Sequence, residues 1–232
     1  MVAFDGGDPV AVSIGCKRPP HTLVNRIAVH PDHLRKGHGR HLLTSLSAKL
    51  AILGPPLLTA EIGAGNAPAL ALFQSCGWRE ETSYTDHVCD DPVAAAAPAG
   101  LVESVTVDDL IDVALPAAGA RRSWDRTRGT LLNRKDRLLG LAIASDERID
   151  ASLLYTREPD ESVAIWNLAA AADAGGEAAL AVLLRELAHR EPGSLLIPRA
   201  AEGELPIAWL PKLGFNAGTA TIGMAAEARS RA

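Results

Sequence analysis

The sequence predicts an α/β protein in two segments, and three observations carry that expectation. Short β-branched stretches alternate with amphipathic ones, in the order strand, strand, helix, strand, helix, strand, across the first ninety or so residues. The stretch 90–100, DDPVAAAAPAG, then breaks the pattern with two prolines, an alanine run and a closing glycine, the composition of a linker or of a long loop inside one domain. A second, longer alternation follows with a similar succession, which points to an internal duplication.

In order, 9–17 and 23–29 are expected as strands, being short, β-branched and bounded by glycine or proline. A helix is expected over 40–53, where Leu42, Leu43, Leu46, Leu50 and Leu53 recur at helical spacing before Gly54-Pro55-Pro56 stops it. A strand at 57–62 precedes a helix at 67–76, which Asn66 caps, Pro68 opens and Gly77 ends. Extended chain at 78–88 closes the first half. The second half is expected as a strand at 102–107, helices at 108–117 and 121–135, and strands at 138–144, 151–156 and 163–168. A helix at 177–190, a strand at 194–198, a helix near 206–213 and a strand at 219–224 complete it.

The chain has 232 residues, 47% of them hydrophobic, enough to bury a core in one large domain or two modest ones. A formal charge of -5 disfavours nucleic acid as a partner, because phosphate backbones are held by clustered cations. No apolar run reaches the roughly 18 residues that a membrane span needs, and no secretory leader is recognisable at the start. Three cysteines, Cys16, Cys76 and Cys89, stand at wide spacing without a CxxC pair, so neither a disulfide framework nor a zinc cage is expected, and a cytoplasmic location is.

The stretch 25–40, NRIAVHPDHLRKGHGR, runs from an apolar strand through a proline turn and a glycine-containing loop into a helix. Gly37 and Gly39 permit close backbone approach, and the helix start adds unpaired N–H groups and the positive end of its dipole. A pyrophosphate suits such a place. Glycine-x-glycine lacks both the dinucleotide fingerprint and the Lys-Ser/Thr ending of a nucleotide P-loop.

V-x-P, a polar stretch and then G-x-G-R-x-L-L resembles the coenzyme A loop of the GNAT N-acetyltransferases. The resemblance continues at 66–78, NAPALALFQSCGW, which is similar to the family's N-x-x-A-x-x-L-Y-x-x-x-G-F. It implies two GNAT-like domains, each a mixed, mostly antiparallel sheet flanked by helices: 1–91, lacking the family's usual first strand and two helices, and a degenerate second copy over 101–228, joined by a linker at 92–100. It also implies acetyl-CoA as acyl donor, with pantetheine on the backbone of Ile27, Ala28 and Val29. Pyrophosphate would lie on Leu34, Arg35, Lys36, Gly37, His38, Gly39 and Arg40, with Asn66 and Phe73 near the cofactor arm. Glu61 falls where relatives that acetylate protein N-termini have a glutamate proposed as general base, a group needed to deprotonate an ammonium before it attacks the thioester.

Three departures from the family stand out. Leu34 replaces an arginine or glutamine, and Phe73 replaces the tyrosine that protonates the leaving thiolate in many members, so Ser75, Cys76, Tyr84 or water would have to serve. The missing first elements imply a further-upstream start, a shortened domain, or a partner chain that completes the fold, with a homodimer as one expectation. The second half ends in a similar WLPKLGF, yet its loop position, AAAADAGGE, has no basic residue.

His30, His33, His38 and His41 crowd one segment, but their spacing marks no preorganised ligand set, and no metal is expected. Cys76 lacks a recognisable His-Asp pair and is expected as a small buried residue, and Trp124 is expected to face inward from an amphipathic helix. The activity implied is direct transfer of an acetyl group to an amine acceptor, a small molecule or a protein N-terminus, without nucleic acid or membrane. The alternative is a catalytically inactive acyl-CoA-binding or interaction module.

Overall fold

The chain begins with three strands paired antiparallel in sequence order: β1 (Val2–Asp5), β2 (Asp8–Arg18) and β3 (His21–Val29). Then come α1 (His38–Leu53), β4 (Leu57–Gly63), α2 (Ala67–Ser75) and β5 (Arg79–Cys89). After them follow β6 (Glu103–Val105), α3 (Val107–Leu110), α4 (Arg128–Asn133), β7 (Leu139–Ala144), β8 (Ile149–Arg157) and β9 (Val163–Ala170). The chain ends with α5 (Ala174–Arg190), β10 (Leu195–Ala201) and β11 (Asn216–Glu227). This computed structural model describes residues 1–115, 122–203 and 207–229.

Two compact units result: Met1–Ser83 together with Ala220–Ala232, and Tyr84–Thr219. In the first, the strand order is β1-β2-β3-β4-β11; all neighbours are antiparallel except β3 and β4. In the second the order is β6-β7-β8-β9-β10-β5, again antiparallel but for β9 and β10. Each unit is therefore a mixed, mostly antiparallel sheet with helices. The boundaries differ from those expected, because the last strand returns to the first unit: Thr221 to Glu227 pair with Gly63 to Leu57 on β4.

The core of the first unit gathers Val24, Leu43, Leu50, Leu58, Ala60, Ile62, Phe73, Trp78 and Met224. Leu42, Leu43 and Leu50 of α1 are buried, each stabilising the fold by about 1.5–3 kcal/mol relative to exposure, whereas Leu53 at the last position of the helix is exposed. Gly54 then ends α1 in the left-handed region, its N–H donating to Leu50 O at 2.8 Å. The second unit centres on Leu153, Ile165, Leu180, Leu183, Leu187 and Ile197.

Several elements depart from expectation. β1 was not anticipated: Gly6-Gly7, both with positive φ, turns Val2–Asp5 back onto β2. The helix expected over 121–135 is instead a 3-10 turn at Trp124–Arg126, α4, and a second turn at Lys135–Arg137, with residue 121 outside the described residues. Arg126 rather than Trp124 is the fully buried side chain there. Helix 108–117 shortens to α3, with 116–121 outside the described residues, and 206–213 becomes two 3-10 turns, with 204–206 outside them. The 92–100 stretch lies along α5, where Ala95 N–H donates to Arg185 O at 3.2 Å and Ala97 N–H to the Glu186 carboxylate at 2.7 Å.

Candidate functional site

β3 and β4 pair in parallel at His21–Leu57, Thr22–Leu58 and Leu23–Thr59. Beyond Leu23 the register continues only on the β2 side, where Ser13, Val12 and Ala11 pair with Ile27, Ala28 and Val29. The reason is a β-bulge: Ile14 faces Arg26 while Gly15 faces Val24, so Asn25 is an extra residue that bends β3 away from β4. The opening this creates leads along Ile27, Ala28 and Val29 toward the loop and α1.

In that loop Arg35 has φ 62 and Gly37 has φ 88, two left-handed positions that wind the backbone tightly before the helix. Turns of this kind gather successive N–H groups into anion-binding concavities. Gly37 caps α1 without a side-chain hydrogen bond, and the first turn carries no acidic residue, so the helix start keeps its open donors and positive dipole end. Leu34, Arg35, Lys36 and Gly37 are exposed and His38 is half-buried. Gly39 is small for a packing reason: a Cβ there would lie 2.9 Å from Leu72 Cδ2 of α2.

The remaining candidates fall into two groups. Glu61 is half-buried on β4, opposite Gly223 of β11, and Asn66 is exposed just beyond that strand, where its Oδ1 accepts from Ala69 N–H at 3.2 Å and caps α2. The Arg40 side chain donates from Nη1 to Ser75 O at 3.2 Å and ties α1 to the end of α2. Phe73, expected at the cofactor, is 2% exposed and packs edge-on against Trp78 at 4.8 Å as a core residue. Ser75 donates its hydroxyl proton to Leu72 O at 2.7 Å, half-buried Cys76 packs against the core, and Tyr84 lies in the other unit, donating to Arg122 O at 3.3 Å.

Residues 1–78 match the family model described as Acetyltransferase (GNAT) family. The chain is 48% identical over 61 residues to the [Ribosomal protein bS18]-alanine N-acetyltransferase of Escherichia coli K12, covering 26% of this chain and 40% of that protein. Residues 1–78 are thus similar to GNAT acetyltransferases. The L-amino acid N-acyltransferase MnaT of Escherichia coli K12 is 40% identical over 58 residues, covering 25% of this chain and 34% of that protein. The chain thus spans about two fifths or less of the length of these relatives. Among solved structures, a tandem GNAT protein from the clavulanic acid biosynthesis pathway matches with TM-score 0.68 at 19% identity, covering all of this chain and 83% of that one. A GCN5-related N-acetyltransferase from Sphaerobacter thermophilus matches with TM-score 0.64 at 15% identity, covering 96% and 78%. Those two likenesses are of fold.

The second unit repeats the strand geometry of the first and fills it with its own chain. β8 and β9 carry the same bulge, with Leu154 facing Asn167 and Tyr155 facing Ile165, and β9 pairs with β10 only at Val163–Leu195 and Ala164–Leu196. Ile165 therefore corresponds to Val24. Its carbonyl accepts from the buried Arg126 guanidinium at 2.7 Å, and Arg122 donates to Asn167 Oδ1 at 3.1 Å. At the start of α5, Asp173 accepts from Gly176 N–H at 2.8 Å and pairs with Arg148 at 2.9 Å. Those two contacts, the Gly176 N–H first, hold the Asp173 carboxyl below the ordinary carboxylate range. Sequence alone reveals the missing basic residues of this loop but not that Arg126 and Asp173 occupy the corresponding places.

Proposed function

We propose that the first unit binds acetyl-CoA and transfers its acetyl group directly to an amine acceptor. One observation carries the reading: β3 parts from β4 just where the strand leads into an uncapped, carboxylate-free helix start. Backbone groups of Ile27, Ala28 and Val29 would pair with the amide-bearing pantetheine arm, and the amides of 35–40 would hold the pyrophosphate. Arg35 and Lys36, both exposed, add positive charge beside it.

Glu61 is the base in this scheme. It accepts a proton from the acceptor ammonium, directly or through water; the freed amine attacks the thioester carbonyl, and the tetrahedral intermediate collapses to amide and thiolate. Phe73 has no proton to give and is sealed in the core, so water relays to the departing thiolate the proton that the attacking nitrogen sheds as the intermediate collapses. The relatives named above act on a ribosomal-protein alanine and on L-amino acids, which makes an α-amino group the acceptor to test first.

A second reading, an acyl-CoA-binding module without turnover, is favoured by the burial of Phe73. Thiol release from acetyl-CoA, followed with a panel of α-amino acids and N-terminal peptides, separates the two. Acceptor-dependent release supports transfer; saturable cofactor binding with no release above the hydrolytic blank for every acceptor supports the module.

A further inference from the structure

Beside the loop stand Asp5, His33 and His38, whose ligand-type atoms all lie within 4.8 Å of one another. They come from three elements: the end of β1, the 3-10 turn at Pro31–His33, and the first residue of α1. His33 Nδ1 is 3.4 Å from the Asp5 carboxylate, yet that atom is buried and makes no hydrogen bond. The His33 and His38 rings are 5.8 Å apart between centroids and inclined by 59°, so they converge without stacking.

From this constellation we infer a divalent transition-metal site, with one imidazole nitrogen each from His33 and His38 and one carboxylate oxygen from Asp5. Bond lengths near 2.0–2.1 Å place two ligands of one tetrahedral zinc about 3.3 Å apart, close to the His33–Asp5 spacing, and a side-chain rotation brings in the third. Two imidazoles with one carboxylate select zinc, cobalt or nickel over magnesium and calcium, which prefer all-oxygen sets. Asp5 is exposed, which leaves the fourth position to water. His30 belongs to a different arrangement, its Nδ1 accepting from Asp32 N–H at 3.3 Å.

The site explains an otherwise orphaned buried nitrogen. It also ties the β1 turn to the first residue of α1, bracing the loop between them and adding net positive charge beside the helix start. It needs no bound acyl-CoA, so its failure and the failure of the transfer reading are separate outcomes.

The test uses the full, tag-free chain freed of metal by a chelator and titrated with Co2+ by visible absorption and with Zn2+ by calorimetry. The expected result is one ion per chain, with affinity at least tenfold weaker in each of His33→Ala, His38→Ala and Asp5→Asn, and wild-type binding in His41→Ala. Circular dichroism checks folding, and His38→Ala, at a half-buried helix start, decides the matter if His33→Ala does not fold. No ion bound by the folded wild-type protein, or equal binding by the His33 and His38 variants, overturns the site.

Discussion

The Asp173 carboxylate accepts a 2.8 Å hydrogen bond from Gly176 N–H, so α5 begins on the chain's own negative charge. α1, its counterpart, begins on Gly37 with no such group. Replacing Asp173 by alanine removes both the cap and the Arg148 ion pair, and the melting temperature is expected to fall by a few degrees in a thermal scan. An unchanged melting curve would mean that Asp173 has no capping role.

Arg126 is fully buried, and its guanidinium donates to Ile165 O inside the opening between β9 and β10. Arg126→Ala strands that carbonyl and leaves a void, with an expected loss of about 2–4 kcal/mol of unfolding free energy in denaturant titration. Acyl-CoA binding to the first unit should be unaffected in a variant that remains folded.

Phe73 packs its ring against Trp78 in the core of the first unit. Phe73→Ala is expected to cost about 3–5 kcal/mol by the same measurement, through lost burial and a cavity. Loss below about 1 kcal/mol would show that the ring is not confined as described.

Glu191 accepts from Arg157 and from Tyr155, the latter at 3.0 Å, and these groups hold its carboxyl below the ordinary range, the Arg157 hydrogen bond first. A depressed folded-state value means that the contribution is complete above about pH 4.5 and is lost as pH falls through that lower value. Burial first, and the Glu191 carboxylate next, push the Tyr155 phenol up to about 12. Glu191→Gln should therefore flatten the acid limb of stability and cost about 1–2 kcal/mol at pH 7, read by urea unfolding across a pH series.

Glu61→Gln keeps the shape of the β4 side chain and removes its basicity. Transfer to an amine is expected to drop by about 100-fold or more with acetyl-CoA affinity unchanged. A variant with wild-type turnover would show that Glu61 is not the base.

The fold was legible where local signals agree with tertiary demand. α1 carries a leucine stripe closed by Gly54, and α2 carries its Asn66 cap, Pro68 and Gly77, so each was placed within two residues. β1 was not legible, because four residues around VAFD have no alternation long enough to count until Gly6-Gly7 folds them onto β2. The helix expected at 121–135 failed for a tertiary reason: burying Arg126 against the Ile165 carbonyl outweighs continuing the helix. The Gly37 loop could be located from glycine spacing, whereas the Asp5–His33–His38 cluster could not, since Asp5 reaches it only through β1.

Calorimetric titration with acetyl-CoA of the wild-type chain and of Gly37→Asp tests the central claim most directly. Aspartate is favoured at a helix start and tolerated in the left-handed region, so the variant should fold while placing a carboxylate where the pyrophosphate would bind, as Asp173 does at α5. The account predicts one molecule bound per wild-type chain and at least tenfold weaker binding by Gly37→Asp. No binding by the folded wild-type protein, or equal binding by the variant, would contradict it.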